Sequence, residues 1–213
     1  MLRIATAVRL HRREDVDVVR PAEPERGDPL EVAREERLPG VLQAENFDGG
    51  GEGFTFHDSD TKNEGVSFRN DGGGVDIVSG NGGYAIGYTN SGEWLEYTVD
   101  VKEEGYYSYK ASASSGTTNS GFSLSIADEG KLVTLIEPVT VPCITQNSWD
   151  KYSVIEGKCV AKLPAGKHVL RLVNRGRDGA DARVMVRCFL ADAPQASPRN
   201  WEVEDPALAA EAR

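Results

Sequence analysis

The sequence predicts an all-β protein, an antiparallel β-sandwich of jelly-roll type, and three observations carry that expectation. Apolar and polar residues alternate strictly along Leu95-Glu96-Tyr97-Thr98-Val99-Asp100-Val101, the period of a sheet with one wet face. Glycine-rich turn signals recur at short intervals: Asp71 to Gly74, Gly80 to Gly83, Ser91-Gly92, Ser115-Gly116 and Pro164 to Gly166. No stretch between Pro39 and Asp192 repeats its apolar residues at the 3.6-residue spacing of a helix.

Taken in order, residues 1–38 read as a charged arm or linker. They hold eight Arg, nine acids, no Lys, one Gly and no aromatic, too little apolar surface for independent stability. A helix is expected around Pro29–Arg37, supported by propensity alone. The mildly apolar Met1–Ala7 is broken by Arg9, His11, Arg12 and Arg13, short of the apolar stretch of a signal peptide. A domain cut from a longer precursor, or a displaced start, both fit that beginning.

Residues 39–192 form the expected sandwich and hold 22 of the 23 Gly and 15 of the 16 aromatics. Besides Leu95–Val101, strands are expected at Tyr106–Tyr109, Phe122–Ile126, Val169–Val173 and Val184–Val186. Residues 193–213 are a tail with Trp201 as its sole aromatic.

Charge narrows the function classes. Twenty-four Lys plus Arg against 34 Asp plus Glu leave a net charge of −10, which argues against a nucleic-acid binder. No apolar run approaches the ~18 residues of a membrane helix. Neutral or weakly polar partners fit better than polyanions, and a monomer is expected. Cys143, Cys159 and Cys188 have no metal-binding spacing. Cys143 and Cys159 pair if two loops or strands meet; otherwise all three are idle thiols.

Trp94 is the residue that the alternation makes informative. It is in phase with Glu96, Thr98 and Asp100, so a regular strand projects it from the polar face; a bulge would instead pack it into the second sheet. A tryptophan flanked by a carboxylate and a hydroxyl suits sugar binding. Its flat ring covers the C–H side of a pyranose while the polar neighbours take the hydroxyls.

A series of segments then appears in a familiar order: Leu42 to Phe47 (LQAENF), Phe56-His57-Asp58, Asn63 to Arg69, Gly74 to Ile77, Gly83 to Tyr88 (GYAIGY), Gly92 to Tyr97 (GEWLEY) and Leu163 to Gly166 (LPAG). Together they resemble a family 6 carbohydrate-binding module over about residues 39–192. The resemblance implies a non-catalytic jelly roll that binds a β-linked polysaccharide or oligosaccharide. It also implies a module usually attached to a secreted glycoside hydrolase, and hence an extracellular setting. It implies two glycan sites. In the loop-end site a sugar lies between two aromatic rings, here Tyr88 and Trp149, with Asp181 where the family has an asparagine. On the concave sheet face the family's tryptophan corresponds to Trp94, with Glu96 beside it. It further implies a structural calcium held by Gln43 and Glu45, two apart on one side of a strand, and completed by Asp192. Oxygen-only ligation suits that hard cation.

Other motifs carry less. Asp58 to Gly65 is acidic but departs from a helix-flanked calcium loop at Lys62. Gly80-Asn81-Gly82-Gly83 lacks the Lys-Ser/Thr of a phosphate loop. Of three scattered histidines only His57 has an adjacent acid, which reads as a loop hydrogen bond. The enzymatic rival is a glycosidase using Glu93 with Glu96, or Glu96 with Asp100, since such hydrolysis needs two acids about 5–10 Å apart. The rival of another class is a calcium-stabilised adhesion or assembly module whose aromatic surface meets protein.

Overall fold

The computed structural model describes residues 36–66, 68, 69, 74–80, 83–176 and, for the backbone, 185–191. Strands and two short 3-10 turns account for its regular structure. The expected β-sandwich is present. One sheet has the order β1 (Glu36–Leu38), β6 (Trp94–Val101), β11 (Gly166–Gly176), β8 (Ser120–Ile126), β9 (Val133–Thr140), with β3 (Phe56–His57) also on β6. The other has the order β10 (Tyr152–Lys158), β7 (Ser108–Ser114), β12 (Met185–Ala191), β2 (Val41–Gln43). A hairpin of β4 (Ile77–Gly80) and β5 (Gly83–Ile86) stands apart from both sheets.

β6 realises the alternation read from its sequence. Leu95, Tyr97, Val99 and Val101 are buried and meet Phe122, Leu124 and Ile126 of β8 and Leu170 and Leu172 of β11 in one core. Trp94, Glu96, Thr98 and Asp100 point the other way. The free edge of β6 is fully occupied, which removes a row of unpaired backbone groups. β1 pairs with its last residues and β3 with its first. Between them the Asp48 N–H donates to the Glu96 carbonyl (2.8 Å), and the Glu96 N–H to the Thr55 carbonyl (2.8 Å). The Asp48 carboxylate accepts the Thr98 N–H (3.0 Å) and hydroxyl (2.8 Å).

Three expectations are corrected. The sheet begins inside the segment assigned to the arm: Glu36–Leu38 is a strand parallel to β6, not the end of a helix. Burial of Leu38 at 4% exposure supplies the reason, together with Pro39, which disfavours helical backbone in the residue before it. The rest of the expected arm helix lies outside the described residues. The aromatic strand starts at Ser108, later than Tyr106, because Gly105 bridges to Leu163 and Tyr107 spends its hydroxyl on the Glu103 carbonyl (2.6 Å). Finally, β2 stops at Gln43, and Ala44–Asn46 form a 3-10 turn. Gln43 and Glu45 are therefore not neighbours on one face of a strand. The Ala44 carbonyl accepts the buried Tyr97 hydroxyl (3.0 Å), a tertiary partner in place of a strand partner.

Cys143 and Cys159 are both free thiols, and the pairing is not formed. Cys159 is buried, which pushes its thiol up to about 11 and leaves it protonated and inert. The side chain of Cys188 lies outside the described residues.

Tyr97→Phe removes the donor from the buried Ala44 carbonyl while keeping the ring. It should cost about 1–2 kcal/mol, read as a lower urea midpoint at unchanged denaturant slope. An unaltered midpoint would show that the carbonyl finds another donor.

Candidate functional site

The outer face of the larger sheet is set by register. β11 lies between β6 and β8, so Trp94, Val173 and Ser123 form one row across it, and Glu96, Arg171 and Ser125 the next. Trp94 is half-buried on that face, with no bulge turning it inward. The Arg171 guanidinium lies 4.0 Å from the centroid of its ring, and the His57 ring is 6.5 Å away on the neighbouring strand. The indole thus stands where alternation placed it, with one face shared with an arginine.

Glu96 differs from expectation. It is 8% exposed, and its Oε1 accepts both Nε (2.8 Å) and Nη2 (2.6 Å) of Arg171. Its carboxylate is committed to holding that guanidinium over Trp94, and Arg171 is the polar group presented beside the ring. Sequence reasoning passed over Arg171. The signal was available in Lys167-x-Val169-x-Arg171-x-Val173-x-Arg175, a period-two series that puts three cations on one side of β11.

Glu93, by contrast, faces the loops at the end of the sandwich. At 7% exposure it accepts the Ser59 N–H (3.0 Å) and hydroxyl and the Asn90 N–H (2.6 Å) and side-chain amide (3.2 Å). The burial of a carboxylate requires such donors. Glu93 and Glu96 serve different neighbours, and Asp100 pairs with Lys102. None of the acid pairs considered for hydrolysis is an unengaged pair across a cleft.

The loop-end residues are half-buried against the rim of the core. Tyr88 has φ +52° and Asn147, two residues before Trp149, has φ +58°. Side-chain-bearing residues rarely adopt this left-handed backbone, and it tends to persist where function needs it. Trp149 lies flat on Gly116, where an added Cβ would sit 2.5 Å from the ring. Its carbonyl accepts the Ser114 hydroxyl (2.7 Å), while its indole Nε1 is buried without a hydrogen-bond partner. Asp181 lies outside the described residues, so the third member of this expected site is not placed.

A small cavity is lined by Ile86, Phe122 and Leu172 together with Glu93, Trp94 and Asn174. Its volume is about 30 Å³, room for a water or two and not for a pyranose ring.

Asp58 to Gly65 is an ordinary loop. The Asp60, Lys62 and Gly65 N–H groups each donate to the side chain two residues earlier, of Asp58 (3.0 Å), Asp60 (2.9 Å) and Asn63 (2.7 Å). Glu52, not Asp58, is the partner of His57 (2.5 Å), and it also accepts the Asp58 N–H (2.8 Å). Asp76 accepts the Glu64 N–H. Burial pushes the carboxyl of Asp58 up to about 6 and that of Asp76 up to about 7, with neighbouring acids acting in the same direction.

At the expected calcium site, Gln43 Oε1 is a buried oxygen with no hydrogen-bond partner, and Glu45 is buried at 7% exposure. Asp192 falls outside the described residues. Among the described residues no group of three or more His, Cys, Asp or Glu is arranged to hold a metal ion.

Comparison with known proteins gives this geometry its context. The family model for carbohydrate binding module (family 6) matches residues 43–189. The chain belongs to that family. The family is one of binding modules, generally non-catalytic and associated with glycoside hydrolases. A family 6 module from Clostridium stercorarium, CsCBM6-3, solved in complex with cellobiose, superposes with a TM-score of 0.52. It is 20% identical, over 76% of this chain and 98% of its own, and shows the shared fold. One from Clostridium cellulolyticum in complex with xylose has a TM-score of 0.49 at 18% identity, over 74% and 99% of the two chains. The β-agarase AgaO of Microbulbifer thermotolerans is 30% identical over 118 residues, which are 54% of this chain and 10% of the agarase. The matched part is thus about a tenth of that enzyme's length. Among the described residues no helix is long and apolar enough to cross a membrane.

The module's carboxyls make its stability depend on pH. The folded state holds a proton on Asp76 that the unfolded chain releases. This contribution is complete below the ordinary value of 3.8 and disappears as pH rises through about 7, so stability falls across that interval. Asp76→Asn keeps the acceptor for the Glu64 N–H and abolishes the titration. It should melt higher than the parent at about pH 8 and nearly together with it at about pH 3; an equal offset at both would contradict the assignment.

Proposed function

We propose that the module binds a β-linked polysaccharide or oligosaccharide without catalysing its hydrolysis, and holds an attached glycoside hydrolase at its substrate. The observation that carries this reading is Trp94, half-exposed on the outer face of the rigid sheet and framed by Arg171 and His57. The ring supplies the apolar surface for a sugar's C–H side, and the guanidinium supplies donors for its hydroxyls. Tyr88 and Trp149, both half-buried, would form the second surface, the loop-end site that the family resemblance implies. Family membership and the agarase relative support a glycan ligand, and agarose is the first candidate to test. Shallow surfaces of this kind give dissociation constants of about micromolar to millimolar, roughly −8 to −4 kcal/mol. An extracellular setting follows from such a role.

Affinity electrophoresis through agarose, xylan and β-glucan gels tests the reading. At least one gel should retard the parent protein, and Trp94→Ala or Trp149→Ala should release it by about tenfold or more in affinity, depending on which surface carries the load. Retardation by none of them would favour a protein-binding adhesion module, and release of labelled oligosaccharides would favour a glycosidase.

We propose also that a structural calcium is held by Gln43 and Glu45, with Asp192 following β12 as the third ligand. The buried and unsatisfied Gln43 Oε1 supports it, since oxygen ligands suit a hard cation and such an atom otherwise costs stability. A ligand bound only by the folded state raises the melting temperature, so excess chelator should lower it and added calcium restore it. Identical melting curves would remove the metal.

A further inference from the structure

Val173 lies opposite Trp94, and the residues two before and two after it on the same face are Arg171 and Arg175. The indole is therefore bracketed on its diagonals by two guanidinium groups, within reach of long side chains at roughly 7–8 Å between backbones. The two are not equivalent. Arg171 is neutralised by Glu96 and stacked on the ring. Arg175 is exposed, and its Nε donates to the Ser123 hydroxyl (3.0 Å). Among the described residues no carboxylate lies within ion-pair distance of it.

Packing keeps Arg175 open. Its partner on β8 is Gly121, where a Cβ would fall 2.4 Å from the Val139 carbonyl oxygen, so no side chain can stand there to cover it. Ser123, in the row of Trp94, takes the Nε of the exposed Arg175, a bond that does not use the Nη groups. In a chain of net charge −10 the acids around the site already have donors: Glu52 takes His57 and the Asp58 N–H, Glu93 takes Ser59 and Asn90, and Glu96 takes Arg171. Among the described residues Arg175 is the cation of this face with no carboxylate partner, and its planar fork matches an oxyanion with two acceptor oxygens.

We propose that the outer sheet face binds a saccharide bearing an anionic substituent, a uronate carboxylate or a sulfate ester, with a sugar ring against Trp94 and the anionic group on Arg175. The proposal rests on the carbohydrate-binding reading above and specifies its ligand class. The chain's overall negative charge repels a dense polyanion, so selectivity comes from one local pairing and falls moderately with salt.

The test is calorimetric titration of the parent chain with sugars that carry a single anionic group, κ-neocarrabiose monosulfate for sulfate and an aldobiouronic acid for carboxylate, and with neoagarobiose as the neutral reference. One anionic ligand should bind more tightly than the neutral one, and which of them does so names the anion. Arg175→Gln should lower the anionic-to-neutral affinity ratio by about tenfold, the effect of one charged hydrogen-bonding pair. Arg175→Lys should fall between the two, keeping the charge without the fork. An unchanged ratio in Arg175→Gln, or a parent that prefers the neutral ligand, overturns the anionic assignment and leaves the carbohydrate reading intact. Binding of no saccharide at all removes both.

Discussion

The structure depends on the strict alternation of β6. Burying Leu95, Tyr97, Val99 and Val101 at 0–7% exposure leaves their neighbours no choice of side. A slip by one residue would move four large apolar groups into water, at about 1.5–3 kcal/mol each, and drive Glu96 and Asp100 into the core. Trp94 is therefore held outward by residues that face the other way. The same register places Arg171 against Glu96 and brings its guanidinium over the indole. The face that meets solvent is, in this sense, printed from the face that does not.

An acidic chain has to decide what to do with carboxylates near its core, and this one uses them as acceptors for backbone N–H groups. Asp48 seals the edge of β6, Glu93 ties the Ser59 loop to the Asn90 turn, and Asp76 anchors Glu64. These contacts replace regular pairing where the chain runs irregularly between β3 and β6. They also leave the carboxylates of Glu52, Glu93 and Glu96 engaged with donors of their own. The cost is pH sensitivity, since Asp58 and Asp76 are buried beyond what their donors offset.

The sandwich and the outward Trp94 were legible in the sequence because both are consequences of period-two alternation, which is local. What was not legible is what alternation cannot encode. β9 escaped notice because Leu135 and Ile136 are both buried at a bulge and Pro138 interrupts its pattern. Glu45 was assigned to a strand, and the turn that holds it is set by Tyr97, far along the chain. Arg171 reaches Glu96 across 75 positions through strand register, a relation that no spacing rule along the chain reports. The resemblance to family 6 modules supplied the order of the segments and the pairing of Tyr88 with Trp149 as a site. It did not supply the engagement of Glu96, which is a property of this chain's own neighbours.

The two aromatic surfaces also differ in how firmly they are built, and that difference bears on what each can do. Trp94 stands on a central strand, cross-braced by β11 and stacked under a paired guanidinium, so little side-chain entropy remains to be lost on binding. Trp149 lies on a loop, kept in place by the absence of a side chain at Gly116 and by left-handed backbone at Asn147. Tyr88 likewise holds its position through a strained turn. A ligand that lies flat across a preorganised sheet gains little depth, since the cavity behind Trp94 admits only water-sized groups. On the proposed carbohydrate-binding reading, modest affinity would follow from that shape. Its use would then lie in repetition along a polymer and in the effective concentration given to whatever is tethered beside it.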